Sequence, residues 1–256
     1  MEHPHTLIIG GTRGIGRAFV KSLVGEGHAV SVIGRRPPTE PDQKIPGVNY
    51  IGADVSKEEE LHLALSDLIR ERGKPSYLVF LQRYRDTGDT WVGEFEVSVT
   101  ATRNIIEAMA GSFSPEGDKS ILVVSSVASF LIASEQPLSY HVAKAALVQL
   151  VRYYACTLGP KGIRANAVSL GTVLKEESRQ FYEDNQELSQ LYRDITPLGR
   201  MGTADEISQV IGFLCSPKAS YITGQNITVD GGVSLQWHES LARRIADLDH
   251  LKVTRS

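Results

Sequence analysis

Cysteine is scarce in this sequence of 256 residues, which holds only Cys156 and Cys215. The two lie far apart and form no C-x-x-C pair, so neither a disulfide framework nor a zinc site is predicted. Long apolar runs are also missing, because the longest, at 77–81 and 121–124, fall far below the roughly 18 residues that a membrane-spanning helix needs. Residues 1–5 lack the basic start of a signal peptide. We therefore expect a cytoplasmic protein without a membrane segment.

A strong net charge is absent as well, because 27 lysines and arginines nearly balance 30 aspartates and glutamates and leave a formal charge of -3. Such a chain offers no basic patch for nucleic acid or for an anionic membrane, so a small molecule is the expected partner. His3 and His5 stand close together, but two ring nitrogens at a frayed terminus make a poor metal site. We expect both histidines to be solvated and predict no metal.

The sequence is rich in short β-prone runs that alternate with longer helical patterns, without a repeat or a low-complexity tract. Each run is almost entirely apolar, as expected of strands that are buried on both faces of a parallel sheet. The segments between the runs are long enough for crossover helices. We therefore predict one α/β domain over residues 1–256, with a doubly wound, mostly parallel sheet and helices on both faces. The predicted strands are 6–9, 29–33, 48–51, 77–81, 120–124, 164–168 and 226–229.

A glycine-rich turn with the spacing G-x-x-x-G-x-G follows the first predicted strand and opens a helical pattern. Glycine lets backbone N–H groups approach a pyrophosphate, whose charge is favoured by the positive N-terminal end of the helix. Taken alone, the same residues fit a tight turn without a ligand about as well. The residues predicted to bind the cofactor here are Gly10, Thr12, Arg13, Gly14, Ile15 and Gly16.

The second predicted strand runs into Gly34, Arg35 and Arg36, where a carboxylate would otherwise bind the ribose of NAD. Arginine instead offers charge-assisted hydrogen bonds to the 2′-phosphate of NADP, and we expect Arg13 to reach the same phosphate. A solvated loop is the competing interpretation, above all for Arg36. The pattern favours NADP(H) over NAD(H).

Asp54 and Val55 follow the third predicted strand, beside the expected position of the adenine. Asp54 either accepts a hydrogen bond from the adenine amino group or prepares a helix cap at Ser56. Two segments, 56–59 and 203–206, place a hydroxyl three residues before a carboxylate. This spacing predicts a capping box at the start of two helices.

Tyr140 and Lys144 occupy positions i and i+4 of a helical pattern, which brings their side chains together. Tyrosine is a weak acid at neutral pH, and a neighbouring ammonium stabilises its phenolate form. Ser126, just beyond the fifth predicted strand, is placed to hydrogen-bond a substrate oxygen beside the tyrosine hydroxyl. Each feature recurs by chance, but their ordered occurrence after a glycine turn is hard to obtain accidentally.

With these motifs the chain resembles the short-chain dehydrogenase/reductase family over nearly its whole length. The resemblance implies a Rossmann-like fold and hydride transfer between a nicotinamide cofactor and a carbonyl or carbinol carbon. It assigns Tyr140 the role of general acid or base. It implies that Lys144 binds the cofactor ribose and lowers the pKa of the tyrosine. It assigns Ser126 the orientation of the substrate, and it implies that the backbone of Val173 contacts the carboxamide.

Several positions depart from the family pattern. The usual Asn-Asn-Ala-Gly segment after the fourth strand is replaced by 80–83, in which we expect Gln82 to line the cofactor. Ser98 stands where the family has an asparagine that holds a proton-relay water, and Lys175 stands where a threonine often contacts the nicotinamide amide. These departures bear on substrate class and catalytic competence rather than on the fold.

Arg83 and Arg85 belong to the loop after the fourth strand, which borders the ligand crevice in this kind of sheet. A guanidinium suits a carboxylate or a phosphate, so one interpretation is a polar, anionic substrate. An internal acidic partner such as Asp86, Glu94 or Glu96 is a second interpretation. Contact between Arg83 and the cofactor's own phosphates or ribose is a third.

Two further segments have predicted roles outside the motifs. The charged segment 172–197 is predicted to be a substrate lid, with Tyr182 as a substrate contact. The tail, 235–256, carries an apolar helical stripe that covers either the chain's own site or a neighbouring subunit. The family resemblance also implies a homo-oligomer, either a dimer or a tetramer.

Two functions of different classes fit the sequence. The first is an NADP-dependent oxidoreductase that acts on a carbonyl or hydroxyl group of a polar small molecule. The second is an NADP(H)-binding sensor or scaffold without turnover, which the altered segment 80–83 and Ser98 would suit. Binding alone needs neither Ser126 nor Tyr140 in particular, so the sequence favours the enzyme.

Overall fold

The computed structural model describes residues 4–40, 43–85 and 87–248. Its central feature is a seven-stranded parallel sheet in the order β3-β2-β1-β4-β5-β6-β9. These strands are β1 (His5–Ile9), β2 (Ala29–Gly34), β3 (Val48–Gly52), β4 (Tyr77–Phe80), β5 (Lys119–Ser126), β6 (Ile163–Leu170) and β9 (Asn226–Val229). A separate parallel pair consists of β7 (Val173–Leu174) and β8 (Gly202–Thr203).

Helices connect the strands and cover both faces of the sheet. They are α1 (Gly14–Gly25), α2 (Glu58–Arg72), α3 (Thr90–Glu94), α4 (Ala101–Met109), α5 (Leu138–Leu158), α6 (Arg179–Asp184), α7 (Gln186–Ile195), α8 (Ala204–Cys215) and α9 (His238–Ile245). A π-helical turn, Phe95–Thr100, joins α3 to α4. Such turns are rare, and those that occur are often found at functional sites.

Two apolar cores lie on opposite faces of the sheet. On one face, Leu7 of β1 belongs to a cluster that includes Leu65 of α2 and residues of α4 and α5. On the other face, Ile8 belongs to a cluster with Phe19 of α1 and Ile211 of α8. Because successive strand residues point to opposite faces, only a continuously apolar strand can serve both cores. This explains why the predicted strands read as unbroken apolar runs.

All seven predicted strands are confirmed, each within a few residues of its predicted bounds. The strand β5 is longer than predicted and extends to Ser126, so the serine lies at its carboxyl end. The short pair of β7 and β8 was not predicted, since two residues carry no periodic pattern.

The two predicted capping boxes have different outcomes. The box at Thr203 is confirmed, because its hydroxyl accepts from the Glu206 N–H at 3.2 Å and the Glu206 carboxylate accepts from the Thr203 N–H at 2.9 Å. The box at Ser56 is wrong, because α2 begins at Glu58 and its N-cap, Lys57, makes no side-chain cap bond. The Ser56 hydroxyl instead donates to Asp54 Oδ1 at 2.7 Å, so the preceding carboxylate has captured it.

The expectation that His5 is solvated is wrong. His5 is the first residue of β1, which lies between β2 and β4, so the neighbouring strands cover it. Its ring is buried, with Nε2 2.9 Å from the Ser31 hydroxyl and Nδ1 3.2 Å from the Gly73 carbonyl oxygen. His3 lies outside the described residues.

The predicted lid contains α6 and α7, and the predicted tail contains α9. The tail packs against α7, and Gln236 Nε2 donates to the Ile195 carbonyl at the end of that helix. The tail thus packs on part of the segment predicted to be a lid, within the same chain, while residues 249–256 lie outside the described part. Over residues 4–40, 43–85 and 87–248, no helix combines the length and apolar character needed to cross a membrane.

Candidate active site

A cleft of about 460 Å³ opens at the carboxyl ends of the central strands. It lies where the strand order reverses between β1 and β4, the place where parallel α/β sheets bind ligands. All the residues predicted to bind the cofactor or to act in catalysis line this cleft, as do Arg83 and Arg85. From the glycine turn to β7 they are Gly10, Thr12, Arg13, Gly14, Ile15, Gly16, Arg35, Arg36, Asp54, Val55, Gln82, Ser126, Tyr140, Lys144 and Val173.

The glycine turn joins β1 to α1 with a backbone that side chains would obstruct. Gly10 and Gly14 have φ values of 89° and 50°, which favour glycine. A Cβ on Gly10 would lie 2.8 Å from the Gln82 backbone nitrogen, and a Cβ on Gly16 would collide with the Gly10 carbonyl oxygen. The N-cap of α1, Arg13, makes no side-chain cap bond. The first N–H groups of α1 therefore face the cleft without a side-chain acceptor, as an anion site requires.

The chemistry of the neighbouring groups fits a dinucleotide with an extra phosphate. Arg13, Arg35 and Arg36 line the same end of the cleft as the glycine turn, and Arg35 and Arg36 are exposed. Gly34 stands where a carboxylate would repel a phosphate. In the loop after β4, Gln82 Nε2 donates to the Thr102 hydroxyl at 2.8 Å, while Gln82 Oε1 is buried and has no hydrogen-bond partner among the described residues. A buried carbonyl oxygen of this kind calls for a donor from a ligand.

Asp54 does not prepare a helix cap at Ser56, because the N-cap of α2 is Lys57. Asp54 lines the cleft, but its Oδ1 accepts hydrogen bonds from the backbone N–H and the hydroxyl of Ser56, at 3.1 and 2.7 Å. The contact to adenine stays a prediction.

Tyr140 and Lys144 lie on successive turns of α5, and Lys144 Nζ is 5.6 Å from the centre of the Tyr140 ring. The ammonium is buried and donates to the Val124 carbonyl oxygen of β5 at 3.2 Å. Burial lowers the pKa of Lys144 to about 8, the Glu94 carboxylate opposes this shift, and Arg83 and Lys175 add to it. Lys144 is thus a cation whose charge depends on its surroundings near neutral pH.

Ser126 lies at the end of β5, in the same cleft wall as Tyr140. Its Oγ accepts a hydrogen bond from the Ala128 N–H at 3.2 Å, which orients the oxygen and leaves the hydroxyl proton for a ligand. The adjacent Ser125 donates to the Lys144 carbonyl oxygen at 2.9 Å and so ties α5 to β5. The strand and the helix therefore hold the three catalytic candidates in a fixed relation.

Arg83 lies directly beside the ring of Tyr140, which its place in the sequence did not predict. Its guanidinium carbon is 5.0 Å from the centre of the Tyr140 ring, and its Nη2 donates to Gln136 Oε1 at 3.3 Å. A cation over a tyrosine ring is attracted by the ring face. Arg83 and Arg85 are exposed at the cleft, so neither is buried against an internal acid. Asp86 lies outside the described residues.

Two charged residues of the cleft were not among the predicted site residues, and both belong to the segment predicted to be a lid. Lys175 and Glu177 line the cleft, and a Cβ on Gly14 would lie 2.8 Å from Glu177 Oε1. The Glu177 carboxylate thus approaches the glycine turn where a pyrophosphate would bind. Burial lowers the pKa of Lys175, with Arg85 adding to the effect and Glu177 opposing it. In the sequence, the one indication of a role for this segment was Lys175 itself, which stands where the family often has a threonine.

Tyr182 is not among the cleft-lining residues of this structure. It packs edge-on against Tyr192, with ring centres 5.8 Å apart, and against Phe181 at 5.2 Å. Its predicted contact with the substrate stays a prediction that requires the lid to change position.

Comparison with known proteins connects this geometry with chemistry. A family model described as enoyl-(acyl carrier protein) reductase matches residues 10–234. A tropinone reductase homologue from Arabidopsis thaliana is 32% identical over 246 residues, which cover 90% of this chain and 90% of the relative. Isoepoxydon dehydrogenase from Aspergillus clavatus is 32% identical over 255 residues, which cover 91% of this chain and 95% of the relative.

Among solved structures, the L-sorbose reductase from Gluconobacter frateurii, crystallised with NADPH and L-sorbose, superposes with a TM-score of 0.78. The match covers 93% of this chain and 98% of that one at 21% identity. At this identity the likeness shows a common fold.

Proposed function

The chain belongs to the short-chain dehydrogenase/reductase family and is an oxidoreductase of CH–OH and C=O groups, and from this premise we propose that it uses NADP(H) on a polar, anionic small molecule. The observation that carries the proposal is the presence of Ser126, Tyr140 and Lys144 in one cleft with the glycine turn and Arg35. The three side chains are of the types needed for proton transfer to a substrate oxygen, and the glycine turn and Arg35 are suited to bind the cofactor.

The residues of the chain divide the reaction between them. When bound, NADP(H) supplies or accepts the hydride, and the glycine turn, the arginines of the cleft and Gln82 are placed to hold it. In the reductive direction, the Tyr140 hydroxyl donates a proton to the substrate oxygen, and in the oxidative direction the phenolate accepts it. Lys144 stabilises the phenolate, and Ser126 donates a hydrogen bond to the same substrate oxygen.

Cofactor preference tests the first half of the proposal. We expect NADPH to bind more tightly than NADH by about 1.5–3 kcal/mol, the strength of a hydrogen bond to a charged group, which is roughly tenfold or more. Arg35→Ala should remove most of this difference and leave NADH binding almost unchanged. Calorimetric titration of the native protein and the variant measures both affinities. Equal affinity of the native protein for the two cofactors would overturn the NADP assignment.

The cations at the cleft support an anionic substrate. Arg83, Arg85 and Lys175 all line it, and partial burial lowers the pKa of Lys175, which the Glu177 carboxylate opposes without cancelling. Such a site suits a carboxylate or a phosphate on the substrate.

Matched pairs of carbonyl compounds, such as a keto acid and its methyl ester, test this second half. Arg85→Ala should lower kcat/KM for the acid by roughly tenfold to a hundredfold and should spare the ester. Arg83→Ala serves as the comparison, since Arg83 also contacts the Tyr140 ring and its loss should affect both compounds. Equal losses for the acid and the ester in Arg85→Ala would contradict the anionic substrate.

We also propose a cytoplasmic location and a homo-oligomer, either a dimer or a tetramer. Large apolar side chains support the oligomer, because Ile132 and Leu138 are 85% and 70% exposed in the isolated chain. Light scattering on the purified protein measures the assembly directly, and a monomer at micromolar concentration would contradict it.

A further inference from the structure

A carboxylate is buried where α3 packs against α5, the helix that carries Tyr140 and Lys144. Glu94, the last residue of α3, is 4% exposed, and Ser98 of the π-helical turn is fully buried. The Ser98 hydroxyl donates to Glu94 Oε2 at 3.1 Å. Burial of an ionised carboxylate is costly unless a positive charge lies near it. The position of Glu94 therefore calls for a buried cation.

Lys144 is a buried cation on a neighbouring helix. The helix α3 and the π-helical turn both pack against α5, which carries Lys144. The Lys144 ammonium is itself buried, and the group to which it donates, the Val124 carbonyl, is neutral. An ammonium in such a place needs an opposite charge as much as the carboxylate does.

The neighbouring cations disfavour the ammonium form of Lys144, whereas Glu94 favours it. Arg83 from the loop after β4 and Lys175 from the lid both disfavour its ammonium form, and Tyr140 is the neighbouring titratable group on α5. Among the described residues that act on Lys144, only Glu94 favours the ammonium. Without the Glu94 charge, burial and two neighbouring cations would all disfavour the ammonium form of Lys144.

We propose that Glu94 is the counter-charge that holds Lys144 in its ammonium form, and that it is therefore a positioning residue for the proton transfer at Tyr140. Ser98 fixes the orientation of the Glu94 carboxylate through its hydroxyl. Only the consequence for turnover rests on the proposed function, because the charge of Lys144 can be measured without cofactor or substrate.

The experiment follows the ionisation of Lys144 by NMR of the full-length protein labelled with carbon-13 at the lysine ε position. The resonance of Lys144 is assigned by its disappearance in Lys144→Arg. In the native protein it should titrate near pH 8. In Glu94→Gln, which keeps the size of the side chain and loses the charge, the proton affinity of Lys144 should fall by about tenfold or more.

Glu96→Gln is the matched control, because it removes the same charge from an exposed position two residues away. Its Lys144 should titrate as in the native protein, and Glu94→Asp, which keeps the charge, should restore most of the native proton affinity. Glu94→Leu replaces the buried polar group with an apolar one and provides the same measurement if the amide variant does not fold. Unchanged titration of Lys144 in either neutral variant would overturn the proposal.

Turnover provides the second readout. If the reaction needs the ammonium, the fall of kcat/KM at alkaline pH should move to lower pH in Glu94→Gln and stay in place in Glu96→Gln. An alkaline limb that does not move in Glu94→Gln, with a shifted Lys144 resonance, would contradict the role in proton transfer. A native protein that reduces no carbonyl compound would contradict the proposed function, and the NMR titration would still decide whether Glu94 is the counter-charge.

Discussion

Single side chains set the electrostatic character of the cleft. The cations of Arg83 and Lys144 lie 5.0 and 5.6 Å from the centre of the Tyr140 ring, Lys175 lines the same cleft, and Glu94 is buried. The buried carboxylate keeps this cluster from being so positive that Lys144 would lose its proton.

His5 links one side chain to the pH dependence of stability. Burial lowers the pKa of His5 below its ordinary 6.5, with the Gly73 carbonyl opposing the shift and Arg72 adding to it. The unfolded chain therefore binds this proton more readily than the folded chain, and stability is lost as the pH falls below about 6.5. We expect the free energy of unfolding in urea to decline over that window.

The control for this prediction is a second histidine. His5→Gln should reduce the decline, whereas His62→Gln, at an exposed position of α2, should leave it unchanged. The same slope in both variants would show that His5 is not the group responsible.

Residues with a role fixed by a motif were predictable, and residues with a role fixed by burial were not. Tyr140 and Lys144 meet through helical spacing alone, so the sequence was enough to place them. Glu94 resembles any other charge in the sequence, because a polar side chain shows its burial only when the packing of α3 against α5 is known. Glu177 was hidden in the same way among the many charges of the lid.

At the scale of elements, hydrogen bonds at helix starts distinguish two segments with the same spacing. The Thr203 box of α8 forms, and the Ser56 hydroxyl bonds to Asp54 instead. The sequence predicted the spacing correctly in both cases, but it did not show that an aspartate two residues earlier would compete for the serine.

Thr203→Ala should therefore lower the free energy of unfolding by about 1 kcal/mol, the usual contribution of an N-cap hydroxyl. Ser56→Ala is the matched control and should change it by less than about 0.5 kcal/mol, since Ser56 caps no helix and is exposed. Urea denaturation of both variants makes the comparison. Equal destabilisation by the two substitutions would contradict the assignment of the caps.

The segment 172–197, which was predicted to be a lid, brings Glu177 close to the glycine turn. A carboxylate there repels the pyrophosphate that the N-terminus of α1 would otherwise attract. We expect Glu177→Gln to bind NADPH more tightly by about two- to fivefold at low salt, the effect of removing one exposed like charge. Glu176→Gln, on the same turn and outside the cleft lining, should leave the affinity unchanged. Weaker binding in Glu177→Gln would show that the carboxylate supports the cofactor instead.

At the scale of the whole molecule, the doubly wound sheet brings distant segments to one edge. The glycine turn after β1, the loop after β4, the end of β5 and the start of α5 meet there because parallel strands end on the same side. The position of the cleft was predictable for this reason. The packing of the tail on α7 was not, since the period of one helix does not show which other helix it contacts.

The claim at the centre of this account is that the cleft transfers a hydride with Tyr140 as the proton donor. The most direct measurement uses NADPH deuterated at the reactive carbon of its nicotinamide ring, a panel of anionic carbonyl compounds, and mass spectrometry of the alcohol formed. The native protein should place one deuterium in the product. Tyr140→Phe should do so about a hundredfold more slowly or worse, with nearly unchanged NADPH affinity, because the substitution removes the proton donor and keeps the ring. A native protein that binds NADPH tightly and delivers no deuterium to any compound would contradict the account and favour a sensor or scaffold.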